Sequence, residues 1–361
     1  MKGLKRFLYL TAATVAALGA LVGCGNRQPK IVHVTSYVST QTMSTGGTTT
    51  EVVAMVAESV VEIRTESVTT QWGMQYVVSG AGSGVIVAHD EDYETYYIVT
   101  NNHVIEGARD IKVSLRSGGE AYTATLIASD VAGDIAVISI KETSTLNVAV
   151  WGSSAGLLVG EDVIAIGNPL GSLGGTVTKG IISATERSIP VGNYTMTLLQ
   201  TDTAINPGNS GGGLFNMRGE LVGVVNAKTS DEEVEGICFA IPADTARSIF
   251  DDLLTDGVVS GRVSLGISVA VYDSSAVYVT KTDDSGKFKQ YDRIAKINDV
   301  TVTSLLTYHD ALAALKPNDE VKVIVYHGRV TQSMFGGRLV FDDSPTTITV
   351  TAKQLQNGES V

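Results

Sequence analysis

From Glu51 to Pro242 the chain is written in short apolar runs, rich in Val, Ile and Thr, each broken by glycine or a charged turn. A first set reads "YVVSGAGSGVIVAHD", "YYIVTNN", "DIKVSLRSGG", "AYTATLIASD" and "DIAVISI". A second reads "EDVIAIGNPLG", "GTVTKGIISATERS", "MTLLQTD", "GGGLFNMRGELVGVVNA" and "GICFAIPA". Branched side chains suit a pleated, half-buried surface, so these runs predict strands. Two successive sets of about six strands fit two β-barrels packed side by side. Helical spacing appears at the start of "EVVAMVAESVVEIRT" and in "ADTARSIFDDLLTDG", where Asp244 can cap and Gly257 can end the helix. Beyond Gly257 the pattern resets. "RVSLGISVAVY", "AVYVTKTD", "EVKVIVYHG" and "TTITVTA" predict strands, and "TSLLTYHDALAALKPND" a helix ended by Pro317. The chain therefore divides into an end segment (1–24), a Ser/Thr/Gly-rich tether (25–50), a β-rich body (51–256), a small α+β module (258–353) and a tail (354–361).

The first residues have the layout of an export signal. Lys2, Lys5 and Arg6 precede an uncharged, largely apolar run from Phe7 to Val22, which ends in Leu21-Val22-Gly23-Cys24. That ending resembles the processing box of bacterial lipoproteins, in which the cysteine is lipidated and becomes the new N-terminus. The alternative is an uncleaved transmembrane anchor, for which the apolar run is short against the ~20 residues a span needs. Either places the body of the protein outside the cytoplasm. The formal net charge of −12 argues against a nucleic-acid partner. His33, His89, His103, His309 and His327 include no pair at metal-ligand spacing. Cys24 and Cys238 are too few for a disulfide framework.

The stretch "NPGNSGGGLF" places Ser210 among four glycines. Glycine is costly to order, so such a run serves a backbone shape that other residues cannot adopt. Gly208-Asn209-Ser210-Gly211-Gly212 fits both the G-x-S-x-G turn of α/β-hydrolases and the G-x-S-G-G of chymotrypsin-like proteases. The first requires a helix after the serine, whereas "GGLFNMRGELVGVV" continues as strand, turn and strand. His103 follows the strand in "IVTNNHVI", and Asp134 precedes the one in "GDIAVISI". The order His, Asp, Ser is that of the chymotrypsin class. A serine hydroxyl needs a base, and a neutral imidazole serves near neutral pH. A buried carboxylate sets the imidazole tautomer. The N–H groups of Gly208 and Ser210 are the candidate donors for the oxyanion. This chemistry needs no cofactor and no metal.

Motif by motif, "TNNHVI", "GDIAVI", "IGNPLG", "TVTKGIISATER", "TDTAINPGNSGGGLFN", "GELVGV" and "GICFAIP" resemble the HtrA (DegP/DegS-like) family of trypsin-like serine proteases, in that family's order. "RVSLGI" and "YDRIAKINDVTV" resemble the PDZ domain that follows there. The resemblance covers roughly residues 51 to 350. It implies a mainly β chain: a chymotrypsin-like double β-barrel protease domain followed by a small PDZ-like α+β domain. It puts His103, Asp134 and Ser210 at the triad positions and Ser264-Leu265-Gly266-Ile267 at the loop that seats a peptide carboxylate. A plain β-bulge without ligand is the alternative for that loop. The implied partners are unfolded or exported protein substrates, C-terminal peptides and other copies in a homotrimer, with the membrane reached through a lipid on Cys24.

Several residues depart from the family pattern. Gly213 stands where proline is usual, Thr203 for alanine, and Cys238 for glycine beside the specificity pocket, to which the loop carrying Lys228 contributes. Cys238 reads most simply as a small buried thiol. His309 could touch a bound peptide, though a solvated helix position is the plainer reading. The stretch "TESVTTQWGMQYVVSGAG" reads as a short loop between the first two strands, which argues against large closed cages. The rival function is a catalytically silent protease fold that acts as a chaperone or peptide sensor.

Overall fold

The computed structural model describes residue 43 and residues 46–71, 74–168, 175–206, 208–227, 236–271, 276–282, 286–333 and 336–355. The signal-type segment with Cys24, and Lys228, lie outside the described residues.

The chain is mostly strand. Helix α1 (Thr49–Val56) opens the described body. Thr48 caps it in a reciprocal pairing with Glu51, which satisfies two otherwise orphaned donors. A first seven-stranded sheet follows, in the order Tyr122–Thr123, Asp110–Ser114, Val60–Gln71, Met74–Asp90, Thr95–Thr100, Ile135–Lys141 and Thr125–Asp130. A second seven-stranded sheet runs Gly213–Asn216, Asp162–Gly167, Thr176–Val191, Tyr194–Thr201, Cys238–Pro242, Glu220–Asn226 and Val150–Trp151. These are the two successive sets that the sequence pattern implies.

Alternation within the strands shows where the cores sit. In Ile135–Lys141, Ala136, Ile138 and Ile140 point into a core with Val61, Ile63, Ile86 and Ile98. Ile135 and Val137 point the other way, into a larger core shared with α1 and with helix α3 (Ala243–Thr255). In Asp162–Gly167, Val163 and Ala165 join the second sheet's own core, while Ile164 and Ile166 join the shared one. Each sheet thus has two apolar faces, and the shared core cements the halves. Ala246, Ile249, Phe250, Leu253 and Leu254 form the apolar stripe by which α3 seals it.

Two local expectations are corrected. Asp244 does not cap α3: the cap position is Pro242, with no side-chain hydrogen bond. The Asp244 carboxylate instead accepts from the N–H of Ser154 and Ala155 and from the hydroxyls of Ser153 and Ser154, at 2.9–3.1 Å. Burial alone would raise its pKa, but these donors outweigh it and hold the carboxyl below its ordinary value. The stretch from Thr65 is not a loop. Its strands pair from Thr65 with Gly80 down to Gln71 with Met74, because Val68, Thr69, Tyr76, Val77 and Val78 favour extended backbone.

The C-terminal module has its own core around Val277, Val279, Ile294, Tyr308, Val321 and Val323. Its sheet runs Ile267–Val271, Val277–Thr282, Arg293–Ile297, Glu320–Tyr326 and Thr346–Thr351, with Val300–Thr301 beside Arg293–Ile297. Helix α4 (Leu305–Ala313) starts at the capping residue Ser304 and ends before Pro317. A hairpin of Gly328–Ser333 and Gly336–Phe341 forms a two-stranded sheet of its own, with Phe341 stacked on Tyr278, and has no counterpart in the sequence reading.

Candidate active site

His103 lies on the one-turn helix α2 (Asn102–Ile105), directly after strand Thr95–Thr100. Asp134 lies in the turn before Ile135–Lys141. The two strands are antiparallel neighbours with Thr100 opposite Ala136, so the end of one adjoins the start of the other. That register brings the two side chains together: His103 Nδ1 is 2.7 Å from Asp134 Oδ2. A carboxylate can only accept, so the imidazole proton sits on Nδ1, which leaves the Nε2 lone pair free. Asp134 Oδ1 also accepts from the His103 backbone N–H at 2.9 Å. Asp134 has a φ of 51°, a left-handed conformation that costs most residues but that Asp tolerates.

Two residues that sequence reasoning missed complete this arrangement. Asn226, the fully buried end of strand Glu220–Asn226, donates from Nδ2 to Asp134 Oδ2 at 2.9 Å. Asn101 Nδ2 donates to the Asp134 carbonyl at 3.0 Å. The available signal was a polar residue ending an otherwise apolar strand, "ELVGVVN".

Ser210 is held on the second sheet's side of the site. Gly211 N–H donates to the Val225 carbonyl at 2.9 Å, and Val225 N–H to the Gly212 carbonyl at 2.8 Å. From the first sheet, Ser83 N–H donates to the Ser210 carbonyl at 2.8 Å. The glycines are required by space and conformation. Gly208 has a φ of 97° and Gly211 one of 82°. A Cβ on Gly211 would stand 2.2 Å from the Ser83 carbonyl oxygen. Gly213, a departure from the family pattern, also has a local reason: a Cβ there would meet the Phe215 ring at 2.3 Å. Among the described residues, neither the Gly208 nor the Ser210 N–H donates a hydrogen bond. Ser210 Oγ accepts from the Ala227 N–H at 3.2 Å, and its hydrogen bond is to that amide rather than to His103. Bonds of this kind commonly tighten only once a substrate is present.

Cys238 is buried in the second core, with Ile182, Leu199 and Val225, as the simplest reading has it.

In the C-terminal module, Val263–Ser264 pairs with Lys353–Gln354. Ser264 Oγ accepts from the Gly266 N–H at 3.0 Å, and Gly266 has a φ of 74°. Leu265 and Ile267 are buried in the module's core. Among the described residues, Ile267–Val271 pairs with a strand on one side alone, Val277–Thr282, at the end of the sheet path.

His309 is not the solvated residue expected. It is 7% exposed, with its ring 4.1 Å from the Tyr194 ring and 5.2 Å from the Tyr308 ring, centroid to centroid. Tyr194 belongs to the protease sheet, so the protease domain covers a face of α4 that an isolated module would give to water. Burial pushes the His309 pKa down to about 4, against a smaller upward pull from Asp310. An ion pair of Arg262 with Asp130 at 2.9 Å also joins the two domains. A cleft of about 720 Å³ beside it is lined by Tyr194, Met196, Ser248, Arg262 and Leu312.

Residues 82–224 match the trypsin-like peptidase domain, and residues 263–334 the PDZ domain. The serine protease Do-like HtrA of Bacillus subtilis is 46% identical over 196 residues, which span 53% of this chain and 43% of that protein. The chain thus spans under half the length of this relative. The Do-like HtrA of Lactococcus lactis subsp. cremoris is 37% identical over 281 residues, 69% of this chain and 68% of that one. A probable periplasmic serine endoprotease, DegP-like, of Marinomonas is 46% identical over 193 residues, 53% of this chain and 39% of that one. Among solved structures, the HtrA-type protease AlgW with a decapeptide superposes with a TM-score of 0.54 at 27% identity, covering 84% of this chain and 98% of that one. With two barrel sheets, a following PDZ domain and an extended match at this identity, the chain belongs to the HtrA family of serine proteases.

Proposed function

We propose that the chain is a serine endopeptidase in which Ser210 is the nucleophile, His103 the general base and Asp134 the group that orients it. Ser210 Oγ attacks the scissile carbonyl carbon as its proton passes to His103 Nε2. The carbonyl oxygen becomes an oxyanion held by the N–H groups of Gly208 and Ser210. His103 then gives the proton to the leaving amine, and an acyl-enzyme ester remains. Water, deprotonated by the same imidazole, hydrolyses that ester and restores Ser210. The observation that carries this reading is the 2.7 Å bond between His103 Nδ1 and Asp134, joined to the second sheet through Asn226.

The substrates we assign are unfolded or exported proteins, because a compact native chain does not present an extended backbone to such a cleft. The PDZ domain takes C-terminal peptides: an edge of Ile267–Val271 adds a strand, and the turn Ser264 to Ile267 receives the carboxylate. The likeness to AlgW with a decapeptide supports peptide binding. The sequence ending L-V-G-C supports a lipid on Cys24 and an extracytoplasmic, membrane-tethered enzyme. Among the described residues no helix is long and apolar enough to cross a membrane. A homotrimer is the assembly that the family resemblance implies.

The bond from Ala227 N–H to Ser210 Oγ favours a second reading, a catalytically silent fold that senses peptides. Labelling with a fluorophosphonate separates the two, since only an activated serine reacts. Covalent labelling of Ser210 supports the protease; inert Ser210 in a folded protein, with and without peptide, refutes it.

A further inference from the structure

We propose that Ser83 is a positioning residue that sets the oxyanion turn, an inference that rests on the protease reading above. Ser83 is fully buried on strand Met74–Asp90 of the first sheet, yet its bonds run to the nucleophile segment of the second. Its Oγ donates to the Gly208 carbonyl at 2.7 Å and accepts from the Asn168 N–H at 2.8 Å. Its own N–H donates to the Ser210 carbonyl at 2.8 Å, and its carbonyl accepts from Thr100 Oγ1 at 2.7 Å.

One side chain and one amide therefore grip the carbonyls of residues 208 and 210, on either side of Asn209. A peptide plane is rigid, so holding the Gly208 carbonyl fixes the orientation of the Gly208–Asn209 peptide. Holding the Ser210 carbonyl fixes the peptide that follows. Gly208 and Gly211 are the freest residues of the turn, and their positive φ values permit other conformers. Ser83 Oγ removes that freedom without touching substrate. Its incoming bond from Asn168 and the Thr100 bond to its carbonyl hold Ser83 itself in place. An oxyanion hole depends on donors preorganised before charge develops, so loosening the turn weakens transition-state binding more than substrate binding.

The test compares wild type, Ser83→Ala and Ser83→Cys, with kcat per active site titrated by fluorophosphonate, KM on a peptide substrate, and inhibition by a matched peptide boronate. Ser83→Ala leaves the Gly208 carbonyl and the buried Asn168 N–H without their partner. Ser83→Cys keeps a weak donor at the same place, and thermal unfolding midpoints show which variants are folded. We expect kcat per titrated site to fall about 10- to 100-fold in Ser83→Ala, less than the loss of an oxyanion donor outright, with Ser83→Cys between. KM stays within about twofold, and the boronate inhibition constant rises in step with the fall in kcat. A smaller active fraction with unchanged kcat per site, in either variant, assigns Ser83 to folding alone and overturns the proposal. Unchanged kcat and boronate affinity overturn it too, with the protease reading intact. A wild type that neither labels nor hydrolyses overturns both.

Discussion

The Tyr194 ring of the protease sheet and the His309 ring of helix α4 lie 4.1 Å apart, tilted by 36°, across the boundary between the two domains. Burial favours the neutral imidazole there, with the Tyr308 ring 5.2 Å away and Asp310 pulling the other way. His309 has a pKa of about 4 when docked, against 6.5 when exposed. Undocking therefore takes up a proton between these values. Domain docking is strongest above pH 6.5, weakens as pH falls toward 4, and changes no further below that on this account. The full effect is at most roughly 3 kcal/mol, less where solvent screens the ring. Energy transfer between labels on the two domains should fall over this window, and His309→Phe should flatten that response. A wild-type response with no such window would refute the linkage.

Ser210→Ala should abolish hydrolysis of unfolded casein, a loss of about 10⁶-fold in kcat for a nucleophile of this kind. His103→Ala should be of comparable severity, because the residues act as a unit. Activity retained in Ser210→Ala, after contaminating proteases are excluded, rules out the assignment.

Asn226→Ala should lower kcat about tenfold while KM holds, since Asp134 Oδ2 keeps His103 but loses the donor at 2.9 Å. Asn226→Asp should be worse, because it sets a second carboxylate against the first. Kinetics across pH, beside thermal unfolding midpoints, distinguish this from a loss of fold. Equal activity of all three proteins would remove Asn226 from the site.

The mature protein should begin at Cys24 and carry lipid, and Cys24→Ala should leave residues 1–23 attached. One acyl chain holds a membrane only marginally, so more than one is expected. Mass spectrometry of the N-terminus decides, and an unmodified wild-type terminus at Met1 favours the transmembrane alternative.

Free-acid peptides with apolar C-termini should bind the PDZ domain, and amidated copies far less, if the turn at Gly266 receives a carboxylate. Where such binding also changes the rate on a small substrate, a 5- to 150-fold effect matches ordinary coupling of 1–3 kcal/mol. Calorimetry with paired peptides tests the first point. Equal binding of acid and amide would show that residues 264–267 are not a carboxylate loop.

Much of this protein is local in its chain. The two sets of strands follow from branched apolar runs between glycine turns, and the start of α4 from Ser304 and Thr307 three residues apart. His103, Asp134 and Ser210 each stand in a short motif beside a strand, so sequence alone nominates them. The strand pairing in residues 65–80 was hidden by its mixed polarity, because a solvent-exposed hairpin needs no apolar face.

What only tertiary structure decided are relationships between distant positions. Asn226 reaches Asp134 across 92 residues and Ser83 reaches Gly208 across 125, each through a single side-chain hydrogen bond. A polar residue ending an apolar strand marks Asn226, but nothing local names the partner of either residue. Each bond exists because the shared core sets two sheets against each other in one register. His309 makes the same point. Its spacing on α4 says nothing of burial, and its neutral form follows from Tyr194 lying against it. Sequence determines the elements and the reactive groups they carry, because propensity and turn chemistry act over a few residues. Packing decides which of those groups meet, because a buried polar atom must find its partner wherever the fold has put one.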